Sequence, residues 1–142
     1  MLGAVAGDII GSPYEWNNTQ DRYFELCRGT RGWFRGREVN YHPKFTDDTV
    51  MTLAVARWLM SDPDRNRSNL IRIMQSMGRE YIDSGFAPMF KRWILSDDPR
   101  PNNSYGNGAA MRVSPVAMVA ESLPEAINLA RLTAEVSHSH PE

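Results

Sequence analysis

The stretch FTDDTVM, residues 45–51, sets a hydroxyl and two carboxylates on three consecutive residues, Thr46, Asp47 and Asp48. A hard cation such as Mg²⁺ takes oxygen ligands at roughly 2.0–2.1 Å in an octahedron, and this donor set suits it. Three donors leave the octahedron incomplete, so water, substrate or a second segment must supply the rest. The same residue types also suit a helix start, with Thr46 as N-cap and two acidic residues facing the positive end of the helix dipole. On spacing alone capping is the stronger reading, and both roles can coexist at one terminus. The one other adjacent carboxylate pair, Asp97 and Asp98, falls in a loop.

Two further stretches carry residues able to do chemistry. NNSYGNGAAMR, residues 102–112, is rich in Asn and Gly, and taken alone it reads as a tight turn. SHSHPE at the end of the chain places His138 and His140 two residues apart, a spacing that suits a metal pair but equally a solvated chain end. Arg28, Arg31, Arg35 and Arg37 crowd one segment and could help attract phosphates, although a solvated loop accounts for them as well.

The bulk properties limit what these groups can serve. The chain has 142 residues, 42% hydrophobic and 23% charged, which fits a single domain, 1–142, with one core. A formal net charge of −1 argues against a nucleic-acid binder working by bulk electrostatics. The single cysteine, Cys27, cannot form an internal disulfide, and nothing points to an oxidising compartment. MLGAVAGDII lacks a basic leader and is interrupted by Asp8, and no run is long and apolar enough to span a membrane. The expected setting is the cytoplasm, with no membrane partner.

The elements that must position these groups read as helices. Residues 2–11 mix small and aliphatic types as a buried helix would, its Gly and Ala allowing close approach. From 12 to 44 no period is sustained, and the aromatics favour an ordered binding loop. A helix is expected over 46–60, then a loop over 61–68. Ser68 caps the next helix, which carries Leu70, Ile71, Met74, Met77 and Tyr81 on one stripe. A short piece around PMFKRWIL follows, and AAMRVSPVAMVAE reads as a helix kinked or divided at Pro115. Ser122 to Glu125 form a capping box for a last helix to about Val136. Strand alternation is absent, so the class is all-α.

GAVAGDIIGSPYE (residues 3–15), FTDDT and NNSYGNGAAMR, in that order, together resemble the ADP-ribosylglycohydrolase family, and SHSHPE is similar to that family's histidine segment. The resemblance spans the chain. It implies an orthogonal helical bundle with two magnesium ions in a cleft, and a hydrolase that removes ADP-ribose from a modified side chain or small molecule. Thr46, Asp47 and Asp48 match the first metal-binding segment. Ser104, Tyr105, Gly106, Asn107 and Gly108 match the loop that holds ADP-ribose, and His138 matches a histidine that contacts it. Glu15 matches an acidic residue near the catalytic cleft, and Asp8 a recurrent aspartate without an assigned role. The general base stays open among Asp48, Glu15 and residues outside the chain. The residue types make sense: glycines let backbone approach a ligand, and a helix after the loop would offer N–H groups to a pyrophosphate. Tyr105 could stack on adenine or pack against ribose.

The family's second, aspartate-rich metal segment has no counterpart here, and Pro141 and Glu142 have the types of a first helical turn. A chain truncated at its C-terminus is therefore expected, carrying half of a dinuclear site. Three readings follow, in this order: part of an ADP-ribosylglycohydrolase, a module or pseudoenzyme that binds ADP-ribose without turnover, or a structural helical domain. A half-domain should also expose apolar surface, so a homo-oligomer is expected.

Overall fold

The computed structural model describes residues 1–15, 30–34 and 37–140. The chain divides into two compact units, Met1–Thr46 and Asp47–Glu142.

In the first unit, α1 (Leu2–Gly11) runs into a 3-10 turn, Ser12–Tyr14, with Pro13 at its start where a missing N–H costs nothing. The Ser12 hydroxyl donates to the Ile9 carbonyl and accepts from the Lys44 amide, which ties the segment before Thr46 to the end of α1. The expectation of a buried α1 fails. None of its residues is buried, and a Cβ on Gly3, Gly7 or Gly11 would meet nothing within 4 Å among the described residues.

The expected loop over 12–44 also needs correcting. Strands β1 (Thr30–Phe34) and β2 (Arg37–Tyr41) pair antiparallel, with Thr30 opposite Tyr41 and Phe34 opposite Arg37. Thr, Trp, Phe, Val and Tyr are strand formers, but interleaved Arg, Gly and Asn blur the alternation that would have shown it. Arg31 and Arg37 lie on these strands, while Arg28, Arg35, Cys27 and the expected helix start at Pro141 lie outside the described residues.

The second unit is built around α2 (Asp47–Ser61), buried at Thr49 through Thr52, Ala54 through Ala56, Trp58 and Leu59. Its open positions, Leu53, Arg57 and Met60, recur at helical spacing and form a single stripe. Against it packs α3 (Arg67–Glu80), through Leu70, Ile73 and Met74. The N-cap of α3 is Asn66, two residues earlier than the expected cap, Ser68. Asn66 Oδ1 accepts from both the amide and the hydroxyl of Ser68. Gly78 lets α4 (Pro88–Leu95) come close, since a Cβ there would lie 2.8 Å from Ile94 Cδ1.

Trp58 and Trp93 sit in the core with their indole N–H groups satisfied by the carbonyls of Asn66 and Val136. The divided helix expected around Pro115 is instead two 3-10 turns, Asn107–Ala109 and Ser114–Met118. The last helix, α5 (Leu123–Glu135), starts as expected, with Ser122 Oγ accepting from the Glu125 amide. Glu125 reaches back to the amide of Glu121, one residue before the cap.

Candidate functional site

Thr46 is held by α1. Its amide and its hydroxyl both donate to the Asp8 carboxylate, at 2.7 Å each. Bonds to an ionised acceptor are about twice as strong as neutral ones, so this two-point contact fixes the threonine's rotamer. It also answers what Asp8 is for. With the hydroxyl proton committed to Asp8, what the Thr46 oxygen offers any further partner is a lone pair, which is what a metal ligand needs.

Asp47 and Asp48 open α2, both half-buried. The Asp47 amide donates to Ser84 O at 3.0 Å, docking the helix start on the turn between α3 and α4. At Gly85 in that turn φ is +121°, and a Cβ there would lie 2.9 Å from Asp47 Oδ1. Only glycine fits both the backbone and the carboxylate. Gly85 is thus a residue that shapes the site without carrying chemistry, and in the sequence it shows only as a glycine in a loop.

Asp47 opens onto a cleft that is also lined by Ala87, Met89, Phe90, Asn102, Ser104, Gly106, Asn107, Gly108, Met111 and His138. Residues expected from three separate stretches therefore meet in one place. The glycine-rich loop is braced at Ser104, whose Oγ accepts from the Gly106 amide, and at Asn102, which pairs in parallel with the His138 segment. Asn102 N donates to Ser137 O and Ser139 N to Asn102 O. Gly108 lies against the histidine ring: a Cβ on it would be 3.1 Å from His138 Cε1. No α-helix follows the loop, so the expected helix dipole facing a pyrophosphate is not available; a three-residue 3-10 turn stands in its place.

Tyr105 is not part of the cleft wall. It is exposed, with its ring 4.0 Å from that of His140. His140 is thereby a ring partner of Tyr105, and no group of three His, Cys, Asp or Glu that could hold a metal occurs among the described residues. Asp98 forms an ion pair with Arg100 at 2.7 Å. Glu15 ends the 3-10 turn after α1 and is exposed.

Behind the cleft is a residue that sequence reasoning passed over. Arg112 is fully buried, and desolvation lowers its pKa to about 10. Its Nη2 donates to Thr133 O and to Ser137 Oγ, and its guanidinium lies 5.6 Å from the Phe90 ring centroid. Ser137 Oγ is in turn 2.8 Å from His138 Nδ1. Burial, and then the Arg112 charge, hold the His138 pKa below its ordinary value. In the sequence Arg112 shows as a lone cation in an otherwise apolar run, AAMRV, closing the stretch NNSYGNGAAMR without a role assigned to it.

The donor set at Thr46, Asp47 and Asp48 is all oxygen and so fits a hard cation, with room left for water or substrate. The cleft residues offer hydroxyl, amide and imidazole groups next to Asp47, a lining suited to a polar ligand.

Human ADP-ribosylhydrolase ARH3 is 27% identical over 164 residues, covering 98% of this chain and 43% of that protein. The Xenopus tropicalis ADP-ribosylhydrolase ARH3 is 24% identical over 161 residues, again covering 98% and 43%. The chain thus spans less than half the length of these curated relatives. A solved structure described as an ADP-ribosylglycohydrolase-related protein complex superposes with a TM-score of 0.68 at 23% identity, over 98% of this chain and 47% of that one. That likeness establishes the fold as the all-α one the motifs implied. Since the sequence profile of ADP-ribosylglycohydrolases matches residues 1–142, the whole of it, the chain belongs to the ADP-ribosylglycohydrolase family.

Proposed function

We propose that this chain is the part of an ADP-ribosylglycohydrolase that holds ADP-ribose and supplies one half of a magnesium site, in an enzyme that hydrolyses the bond between ADP-ribose and a modified side chain or small molecule. The observation that carries the reading is the convergence of Asp47 with Ser104, Gly106, Asn107, Gly108 and His138 on one cleft. The family match over residues 1–142 supports treating the chain as one domain.

Thr46, Asp47 and Asp48 would hold the cation, with Asp8 orienting Thr46 and Gly85 leaving room for Asp47. A Mg²⁺ bound there supplies a Lewis acid for the ribose and lowers the pKa of a bound water. The Ser104–Gly108 loop and His138 orient the ligand, and Asp48 and Glu15 are the chain's candidates for general base. Tyr105, exposed beside the cleft, offers a face for adenine. The single cysteine and the lack, among the described residues, of a helix able to cross a membrane accord with a cytoplasmic protein.

Release of ADP-ribose from ADP-ribosylarginine, measured with Mg²⁺ and with a chelator, tests this reading in the protein that carries the chain. Full activity after both Asp47→Ala and Asp48→Ala would refute the metal assignment. For these 142 residues alone, ADP-ribose affinity without turnover would favour a binding module, since the cleft lies wholly within Asp47–Glu142.

A further inference from the structure

Arg112, Ser137 and His138 form a chain of contacts whose direction can be worked out from proton counting. A guanidinium only donates, so Ser137 Oγ, 2.6 Å from Arg112 Nη2, is the acceptor in that contact. Ser137 is fully buried, and its hydroxyl proton still needs an acceptor. Among the described residues the group within reach is His138 Nδ1, at 2.8 Å. The hydroxyl therefore donates, and Nδ1 must present its lone pair. A neutral imidazole with an unprotonated Nδ1 carries its hydrogen on Nε2. That edge of the ring faces the glycine-rich loop, where a Cβ on Gly108 would be 3.4 Å from Nε2.

The opposite tautomer would point an N–H at Ser137 and leave a buried hydroxyl proton without an acceptor. The cost of an orphaned buried donor biases the two tautomers on the order of five- to a hundredfold. Arg112 is well placed to impose this order. It is itself buried, its Nη2 is anchored by Thr133 O at 2.7 Å, and among the described residues its Nε and Nη1 have no hydrogen-bond partner and no carboxylate is bonded to it, so its charge acts on its surroundings uncompensated by one of them.

We propose that Arg112 and Ser137 are positioning residues that lock His138 as a neutral Nε2–H donor, so that the ligand atom read by His138 is a hydrogen-bond acceptor oxygen. The identity of the ligand as ADP-ribose rests on the function proposed above; the tautomer does not. Arg112 acts through Ser137, and neither residue lines the cleft.

The test is nitrogen NMR of ¹⁵N-histidine-labelled 142-residue chain near neutral pH. The expected result is a pyridine-like Nδ1 and a pyrrole-like Nε2 for His138. In Ser137→Ala, which deletes a single oxygen, and in Arg112→Met, both signals should move toward averaged values. Adding ADP-ribose should perturb Nε2 more than Nδ1, with several-fold weaker affinity in Ser137→Ala. A protonated Nδ1 in the parent chain, averaged tautomers there, or signals unchanged by Ser137→Ala would each overturn the proposal. Should Arg112→Met fail to fold, Ser137→Ala decides alone. A locked Nε2–H tautomer in a chain that does not bind ADP-ribose would uphold the relay and refute the proposed ligand.

Discussion

Replacing Gly85 by alanine should damage the fold and the proposed metal site together, because one added carbon meets two constraints. The backbone there has φ +121°, where an L-residue costs about 1–3 kcal/mol. Restricting the unfolded chain returns about 0.4–1 kcal/mol. The net loss is then centred on about 1.3 kcal/mol and at most about 2.6 kcal/mol, or a fall of about 4 °C in Tm, at most about 9 °C, for a chain of this size. The second constraint is the 2.9 Å between the new Cβ and Asp47 Oδ1, which forces the carboxylate to rotate. Displacing the support of a metal ligand typically weakens affinity about 10- to 100-fold. Thermal melts and Mg²⁺ titration of Gly85→Ala read both effects. Gly78→Ala serves as the control, since its clash is entirely with Ile94, at 2.8–3.1 Å. Overpacking there costs about 1–3 kcal/mol, less about 1 kcal/mol of helix propensity. It should lower Tm and spare Mg²⁺ affinity. An unchanged Tm in Gly85→Ala refutes the backbone argument. A lowered Tm with unchanged Mg²⁺ affinity refutes the assignment of Asp47 as a ligand.

Asp8→Asn leaves one acceptor oxygen for the two Thr46 donors and turns an N–H₂ toward one of them, so stability should fall by about 1–3 kcal/mol, with weaker Mg²⁺ binding, in denaturant and metal titrations. His138 gives a pH dependence of defined sign. Its folded pKa lies below the ordinary 6.5, so the unfolded chain takes up a proton first as pH falls. The stability it contributes is present above pH 6.5 and is lost downward from there toward the lower folded value. Urea midpoints across that window should drop less in His138→Gln than in the parent. Exposed Met60, Met118, Leu123 and Ile127 should promote association, which light scattering would detect as a dimer or larger species; a clean monomer counts against it.

Several residues that meet at the cleft were legible in the sequence, whereas those that position them were not, and the division has a physical cause. Asp47, Ser104 and His138 could be singled out because several motifs in order resemble one family; taken singly, a helix cap, a tight turn and a solvated chain end account for them. The helices over 47–61, 67–80 and 123–135 were legible too, because capping and the 3.6-residue period are local properties. What failed was non-local. The strands Thr30–Phe34 and Arg37–Tyr41 depend on pairing that Arg and Gly conceal. The 3-10 turns around Pro115 stand where a helix was expected, in a segment whose Arg112, Pro115 and Val116 are buried by contacts that no local pattern encodes.

The same reasoning explains why a close resemblance to motifs did not reveal Asp8, Gly85, Arg112 or Ser137 as parts of the site's support. Three of them act on a residue distant in sequence, Asp8 on Thr46 across 38 residues, Gly85 on Asp47 and Arg112 on Ser137 across 25, while Ser137 acts on adjacent His138 but is itself held by Arg112. Their types are unremarkable where they stand, an aspartate in a helix, a glycine in a turn, a serine after a helix. Only the partner makes the role. A cleft whose ligands are supported in this way should be more sensitive to Gly85→Ala or Ser137→Ala than to changes at exposed Tyr105, although of the three only Tyr105 is given a ligand-binding role by the family resemblance. Finding Tyr105→Ala more damaging to ADP-ribose affinity than Ser137→Ala would place the dominant binding energy on the adenine side, outside the supported cleft.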